Sequence, residues 1–156
     1  MMTPAANDSS LSSHYGSLRS HLGENDNGIA YERVLCYNWC MKENKLLDLA
    51  QDFAVDIIVV ARILQEKGER GFADQIKRSG TSISANISEG NHPQSRADMI
   101  SKFEIALKEA NETENWLTVF KKSALIDEGT FSSIYKKLVK IKIVLIHSIK
   151  TLKGLS

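Results

Sequence analysis

The sequence predicts an all-α protein, an antiparallel up-down four-helix bundle that begins at about residue 41. Apolar residues recur every three or four positions over four separate stretches, which is the spacing of one face of an α-helix. Gly, Asn or Pro residues interrupt that pattern between the stretches, and no strand-like alternation is found between residues 42 and 155. Short connections make successive helices antiparallel neighbours around one core.

The first helix is predicted from about Lys42 to Lys67. Its apolar face is formed by Leu46, Ala50, Phe53, Ile57, Ala61 and Leu64. Gly68 follows, where a left-handed residue commonly ends a helix. The second helix is predicted over about Phe72 to Glu89, because Gly90, Asn91 and Pro93 stop the pattern.

The third helix is predicted to begin at Ser95, with Asp98 three residues later in a capping-box arrangement. The fourth is predicted to begin near Asp127, after the sequence ALIDEG. Its apolar residues repeat almost as heptads: Phe131, Ile134, Leu138, Ile141, Leu145 and Leu152. Residues 41–156 are therefore expected to form the bundle domain.

Residues 1–40 are expected to form a largely disordered extension. Met1 to Asn27 is poor in large apolar residues and rich in Ser, Asn, Gly and Ala, so it buries too little surface to offset its ordering entropy. The stretch from Ile29 to Cys40, IAYERVLCYNWC, is apolar enough to form a short helix or to dock on the bundle. The regular pattern begins at Met41, which leaves open that Met41 is the natural start.

The charge and composition exclude several classes of protein. The chain has 20 Lys and Arg residues against 19 Asp and Glu residues, so its net charge does not by itself indicate a nucleic-acid-binding protein. No apolar run approaches the about 20 residues of a membrane span, and the N-terminus lacks the features of a signal peptide. Two Cys residues without an export signal indicate a cytoplasmic protein with free thiols.

Two segments resemble a specific family. DQIKRSGTSISANISEGN (Asp74 to Asn91) and FEIALKEANETENWL (Phe103 to Leu117) are similar to the bacterial four-helix bundle proteins of the ribosomal RNA intervening-sequence type. The resemblance covers Met41 to about Lys153, and the N-terminal extension departs from it. Gly80 is a second departure, because a small alanine-like residue is usual there.

The family resemblance implies more about assembly than about function. Proteins similar to this one assemble as ring-like homopentamers. A related branch, the accessory proteins of diversity-generating retroelements, binds RNA and a reverse transcriptase. The biochemical role of the ribosomal type is generally unassigned. The resemblance therefore implies a homopentamer, with RNA, a reverse transcriptase-like protein or a ribosomal component as possible partners.

A polar stripe is expected along the second helix, bordering its apolar face. Its members follow one another by four, four and three residues: Arg78, Ser82, Asn86 and Glu89. On the third helix, Glu112 and Glu114 offer carboxylates, and Glu114 approaches the apolar face. The favoured interpretation is an ion pair between Arg78 and one of these Glu residues, within or between subunits. A ligand or RNA site is the alternative, and catalysis is not expected, because no His or nucleophile motif accompanies the Glu residues.

A basic cluster is predicted on the fourth helix at Lys136, Lys137 and Lys140, opposite its apolar face. Lys142, Lys150 and Lys153 extend its basic character, and Lys77 on the second helix is a further candidate. Such a cluster is either a solvated helix face or a phosphate-binding surface repeated around an oligomer.

No cofactor or metal site is expected. His14, His21, Cys36 and Cys40 are the only group that suggests zinc, but both His residues precede the Cys residues in the extension and no knuckle-like turn joins the thiols.

The predicted function is a non-enzymatic, homo-oligomeric helical scaffold that holds RNA or a protein–RNA complex. The alternative is a protein–protein adaptor without affinity for nucleic acid, which the near-neutral charge favours. Surplus apolar residues beside the main helical faces are expected to pack between subunits: Ile58, Ile100, Leu107 and Ile143.

Overall fold

The computed structural model describes residues 45–154, and the predictions for residues 1–40 and Met41 fall outside that range. The described residues form four α-helices without a strand: α1 (Lys45–Glu66), α2 (Arg70–Gly90), α3 (Arg96–Lys122) and α4 (Glu128–Lys153). These bounds lie within three residues of the predicted ones where both ends were predicted. None of the four helices is long and apolar enough to cross a membrane.

The helices pack in sequence order around one core. α1 contacts α2, α2 contacts α3, α3 contacts α4, and α4 closes the ring against α1. The backbones of the diagonal helices do not approach each other closely in the described bundle. Since each connection spans only a few residues, neighbouring helices are antiparallel. The predicted up-down four-helix bundle is confirmed.

The helix ends follow the predicted chemistry. Gly68 has a φ of +85°, the left-handed conformation that favours glycine after a helix. The Ser95 side chain accepts a hydrogen bond from the Asp98 amide at 3.1 Å, and the Asp98 carboxylate accepts from the Gln94 amide at 3.1 Å. Asp127 caps α4 in the same way, by accepting from the Thr130 amide at 2.8 Å.

The core runs through the centre of the bundle and contains the predicted apolar faces. Its largest members are fully buried: Phe53, Phe103, Phe120, Leu46, Ile57, Leu64, Ile76, Ile83, Ile87, Leu117 and Leu138. Leu107 is only 6% exposed and belongs to this core, so its predicted place between subunits is wrong. It lies four residues after Phe103 and three before Ala110, both of which are buried. Ile58, Ile100 and Ile143 are half-buried.

Two glycines allow helices to approach closely. A Cβ atom on Gly80 would lie 2.6 Å from Cγ2 of Ile57, and one on Gly90 would lie 2.6 Å from the Phe103 ring. Glycine at these positions therefore brings α2 against α1 and against α3. The departure noted at Gly80 thus has a packing reason that outweighs its low helix propensity.

Candidate functional site

The polar stripe of α2 lies along the seam between α2 and α3. The Asn86 side-chain amide donates to the Ser82 carbonyl at 2.8 Å, which is a bond within α2. Glu89, at the end of the stripe, forms an ion pair with Lys102 of α3. Ser82 and Asn86 are half-buried, whereas Arg78 is exposed. The stripe is therefore held by local and α2–α3 contacts, and Arg78 takes no part in them.

The predicted ion pair between Arg78 and a Glu residue of the same subunit is not formed. No carboxylate among residues 45–154 pairs with Arg78. Glu112 is exposed, and its carboxylate accepts from the Trp116 indole at 3.4 Å. Glu114 points to the opposite side of α3, toward α4, because it lies two residues, or about 200°, further round the helix. An Arg78 pair between subunits stays a prediction.

The side chains that bond to the Glu114 carboxylate lie on α4. Lys142 Nζ donates to the Glu114 carboxylate at 2.5 Å, and the Tyr135 hydroxyl donates to its other oxygen at 2.9 Å. The Lys142 side chain is fully buried, while that of Glu114 is 21% exposed. Tyr135 and Lys142 are seven residues apart and so lie on one face of α4. Sequence reasoning correctly placed Glu114 near the core but missed that its cation is Lys142.

Burial shifts the pKa values of both side chains that bond to Glu114. The pKa of Lys142 is lowered, chiefly because burial disfavours the ammonium, with the Glu114 bond acting in the opposite direction. Burial also raises the pKa of the Tyr135 hydroxyl to about 12, and its bond to the Glu114 carboxylate adds to the shift. Glu114 of α3 is thus held by an ion pair and by a neutral phenol, both from α4, and these contacts join the two helices.

A second buried polar contact joins α2 to α3. The Oγ atoms of Ser79 and Thr113 are 3.0 Å apart, and Thr113 also donates to the Glu109 carbonyl at 2.8 Å. Each hydroxyl has one proton and a backbone acceptor besides the other side chain, the Glu109 carbonyl for Thr113 and the Ile76 carbonyl at 3.4 Å for Ser79, so either hydroxyl can donate to the other. Both residues are at most 1% exposed. Nothing in the sequence marked Thr113 as the partner of Ser79.

Only part of the basic cluster of α4 is exposed and able to contact a binding partner. Lys136 and Lys140 are exposed, as predicted. Lys137 instead pairs with Asp56 of α1 at 2.6 Å, and the buried Lys142 does not extend the basic surface. Lys77 is exposed on α2, diagonally across the bundle, so it lies apart from the α4 lysines.

The described part of the chain offers no group of three or more His, Cys, Asp or Glu side chains arranged to hold a metal ion. The residues weighed for zinc, His14, His21, Cys36 and Cys40, lie outside that part.

Comparison with known proteins agrees with this arrangement. The family model described as 23S rRNA-intervening sequence protein matches residues 42–147. The chain belongs to this family. A crystal structure at 1.70 Å of a protein of unknown function from the S23 ribosomal protein family of Bacteroides thetaiotaomicron is 44% identical, with a TM-score of 0.66. The match covers 67% of this chain and 98% of that one. No curated protein matches.

In this 23S rRNA-intervening sequence protein, the family-like run on α2 is mainly a packing motif. Ser79, Gly80, Ile83, Ile87 and Gly90 are buried and face the neighbouring helices. Arg78 at the start of the run is exposed. The exposed cations of this run, Lys77 and Arg78, are therefore available to meet a partner.

Proposed function

We propose that the protein is a non-enzymatic cytoplasmic scaffold that assembles with copies of itself and holds RNA. The observation that carries the assembly is the outer face of α1, where Val55 and Val59 are 60% and 49% exposed. These two valines are one helical turn apart and form a single apolar patch. Apolar surface that is left uncovered by the fold commonly marks a contact with another protein.

Two further apolar side chains, Ile105 and Val119, are 39% and 38% exposed on α3, about 21 Å apart along the helix. α1 and α3 are diagonal in the bundle, so these side chains and the α1 patch are on opposite sides of the subunit. Different surfaces that meet in a head-to-tail contact generate a ring when the rotation between subunits closes. This arrangement supports the homopentamer that the family resemblance implies.

The proposal for RNA rests on exposed cations. Arg78 is exposed, and no carboxylate of residues 45–154 pairs with it. A guanidinium binds phosphate oxygens in a bidentate manner. Lys77 next to it, and Lys136 and Lys140 on α4, are also exposed. In a ring these few cations per subunit become a repeated basic surface, and phosphate contacts are additive in affinity.

The assembly is tested by light scattering. The unmodified protein is expected to have a mass several times 17.4 kDa, and Val55→Lys combined with Val59→Lys should lower it. Gln65→Lys with Gln75→Lys adds the same charge at exposed positions away from this patch and should leave the mass unchanged. A monomeric unmodified protein would contradict the scaffold.

RNA binding is tested by the salt dependence of affinity. A triple Arg78→Gln, Lys136→Gln and Lys140→Gln variant should bind RNA more weakly at low salt and with a smaller salt slope, because each lost phosphate contact reduces that slope by about 0.7–0.9. A control that removes the exposed cations Lys108 and Lys122 should behave like the unmodified protein.

The second candidate is an adaptor that binds proteins, such as a reverse transcriptase-like or ribosomal partner, without affinity for nucleic acid. It is favoured by the neutralisation of five described lysines in ion pairs: Lys102, Lys121, Lys137, Lys142 and Lys153. Absence of RNA binding at low salt in a protein that still assembles would establish this candidate over the first.

A further inference from the structure

A half-open groove lies at the seam between the C-terminal part of α3 and the N-terminal part of α4. Its volume is about 370 Å³, which is within the range of about 300–1,000 Å³ for sites that bind small molecules. The polar and aromatic residues that line it are Thr118 and Lys121 of α3 and Phe131, Ser132, Tyr135 and Lys136 of α4. The bundle thus has a concavity of ligand size beside the exposed lysines of α4.

Two aromatic rings form part of the groove wall. The rings of Phe131 and Tyr135 are stacked, with their centroids 5.1 Å apart and an angle of 20° between their planes. Both side chains are half-buried, and Lys121 Nζ lies 4.4 Å from the centre of the Phe131 ring. A planar group that enters the groove would meet the surface of these rings, and aromatic groups pack favourably by stacking. The wall therefore suits a flat aromatic group such as a nucleobase.

The available charge at the groove is positive. The Glu114 carboxylate is paired with Lys142, and that of Glu128 is paired with Lys121, so both of these acidic side chains already have a cation. Lys136 is exposed, and no carboxylate of residues 45–154 pairs with it. The groove therefore combines an aromatic wall with a cation that is able to bind an anion.

We propose that this groove binds one unpaired base of a single-stranded RNA, while Lys136 and Lys140 contact the phosphates beside that base. The inference rests on the RNA binding proposed above, and it names the form of RNA that is bound. Lys140 is exposed and lies one turn, or about 6 Å, beyond Lys136 along α4. A nucleic acid carries a phosphate at every nucleotide, so it can contact both lysines. An acidic peptide lacks this regular charge, which favours RNA as the ligand.

The form of RNA follows from the geometry of a duplex. Bases inside an RNA duplex are stacked on each other and are not free to enter a protein groove, whereas unpaired bases can stack on aromatic side chains. Phosphate contacts alone would favour the duplex, because its charge density is higher than that of a single strand. A base held in the groove is expected to reverse this preference.

The test compares the affinity of the full chain for a short single-stranded RNA and for the duplex that the same strand forms with its complement. The unmodified protein should prefer the single strand. Phe131→Leu removes one ring, and Ser132→Leu fills part of the groove without changing the charge. Each should weaken single-strand binding by about 5–100-fold and leave duplex binding unchanged. Ser133→Leu, the same change at the next and exposed residue of α4, is the matched control and should keep the preference.

Crosslinking locates the base in the unmodified protein, so it does not depend on how the variants fold. A single strand that carries 4-thiouridine, crosslinked under near-ultraviolet light and digested with trypsin, should be attached to the peptide from Ser123 to Lys136, which contains both rings. Attachment only to other peptides would overturn the inference.

The affinities also separate this inference from the proposed function. Equal affinity of the unmodified protein for the two forms would overturn the inference and leave the RNA scaffold in place, and so would a preference that survives in either groove variant. Absence of binding to both forms at low salt would overturn both proposals and favour an acidic peptide as the ligand of the groove.

Discussion

The Glu114–Lys142 pair allows a quantitative test of how α3 and α4 are joined. In Glu114→Gln, the side-chain shape and an acceptor for Tyr135 are kept, but the fully buried Lys142 loses its counter-charge. Removing one partner of a buried pair costs about 3–5 kcal/mol. Because the Glu114 side chain is 21% exposed and water reaches it, we expect the lower end, about 3 kcal/mol.

The reverse change should be milder. Lys142→Met removes the buried ammonium, and Glu114 remains partly solvated and bonded to Tyr135. Burial lowers the pKa of Lys142, so the cost of burying its ammonium offsets part of what the bond to Glu114 contributes. We expect a loss of about 1–2 kcal/mol. The double variant should lose less than the sum of the two single variants, with a coupling of about 2 kcal/mol.

Urea unfolding followed by circular dichroism, at one protein concentration, measures these free energies. Glu112→Gln is the matched control, since Glu112 is exposed on the same helix and should change stability by no more than about 0.5 kcal/mol. If Glu114→Gln cost no more than this control, the pair would not join the helices as described.

Three further predictions concern single contacts. Gly80→Ala should destabilise the bundle by about 1–3 kcal/mol in thermal unfolding, because its Cβ would lie 2.6 Å from Ile57. The loss of stability in the double variant Gly80→Ala, Ile57→Ala should be smaller than the sum of the losses in the two single variants. A stabilising effect of Gly80→Ala would refute the close approach. The absorbance of tyrosinate, taken as the difference between the unmodified protein and Tyr135→Phe, should titrate at about pH 12 rather than the ordinary 10.0. Since the unfolded chain loses this proton at lower pH than the folded chain, this group's contribution to stability falls as pH rises across that interval; a midpoint at the ordinary value would contradict the burial. Thr113→Val leaves the buried Ser79 hydroxyl with only the Ile76 carbonyl at 3.4 Å, so chemical denaturation should show a loss of about 1–2 kcal/mol, and an unchanged midpoint would refute the contact.

The local features of the fold follow from the sequence. The left-handed Gly68 and the Ser95–Asp98 cap were predicted because each depends on residues within one turn of a helix end. Apart from Leu107, the core faces were equally predictable, since they depend only on spacing along one helix.

Which polar residues become partners depends on the axial register between neighbouring helices. The spacing of residues within one helix does not define that register. A pair between Arg78 and Glu112 or Glu114 within one subunit was therefore a wrong choice among several charges. One signal was available: a carboxylate near the core requires a cation, and Lys142 is adjacent to the core residue Ile141. Whether the exposed cations bind RNA depends on partners outside the chain, so that part of the site stays a prediction.

The seam between α1 and α4 has a consequence for the order in which the bundle forms. It is the seam with the fewest contacts, and its Asp56–Lys137 pair joins residues 81 positions apart. Loop-closure entropy rises with that separation, whereas the seams between consecutive helices close short loops. We therefore expect the hairpin of α2 and α3 to form early and the first and last helices to meet late. The apolar faces of this seam would then be covered last, so we expect an exchange of helices between two chains to occur there.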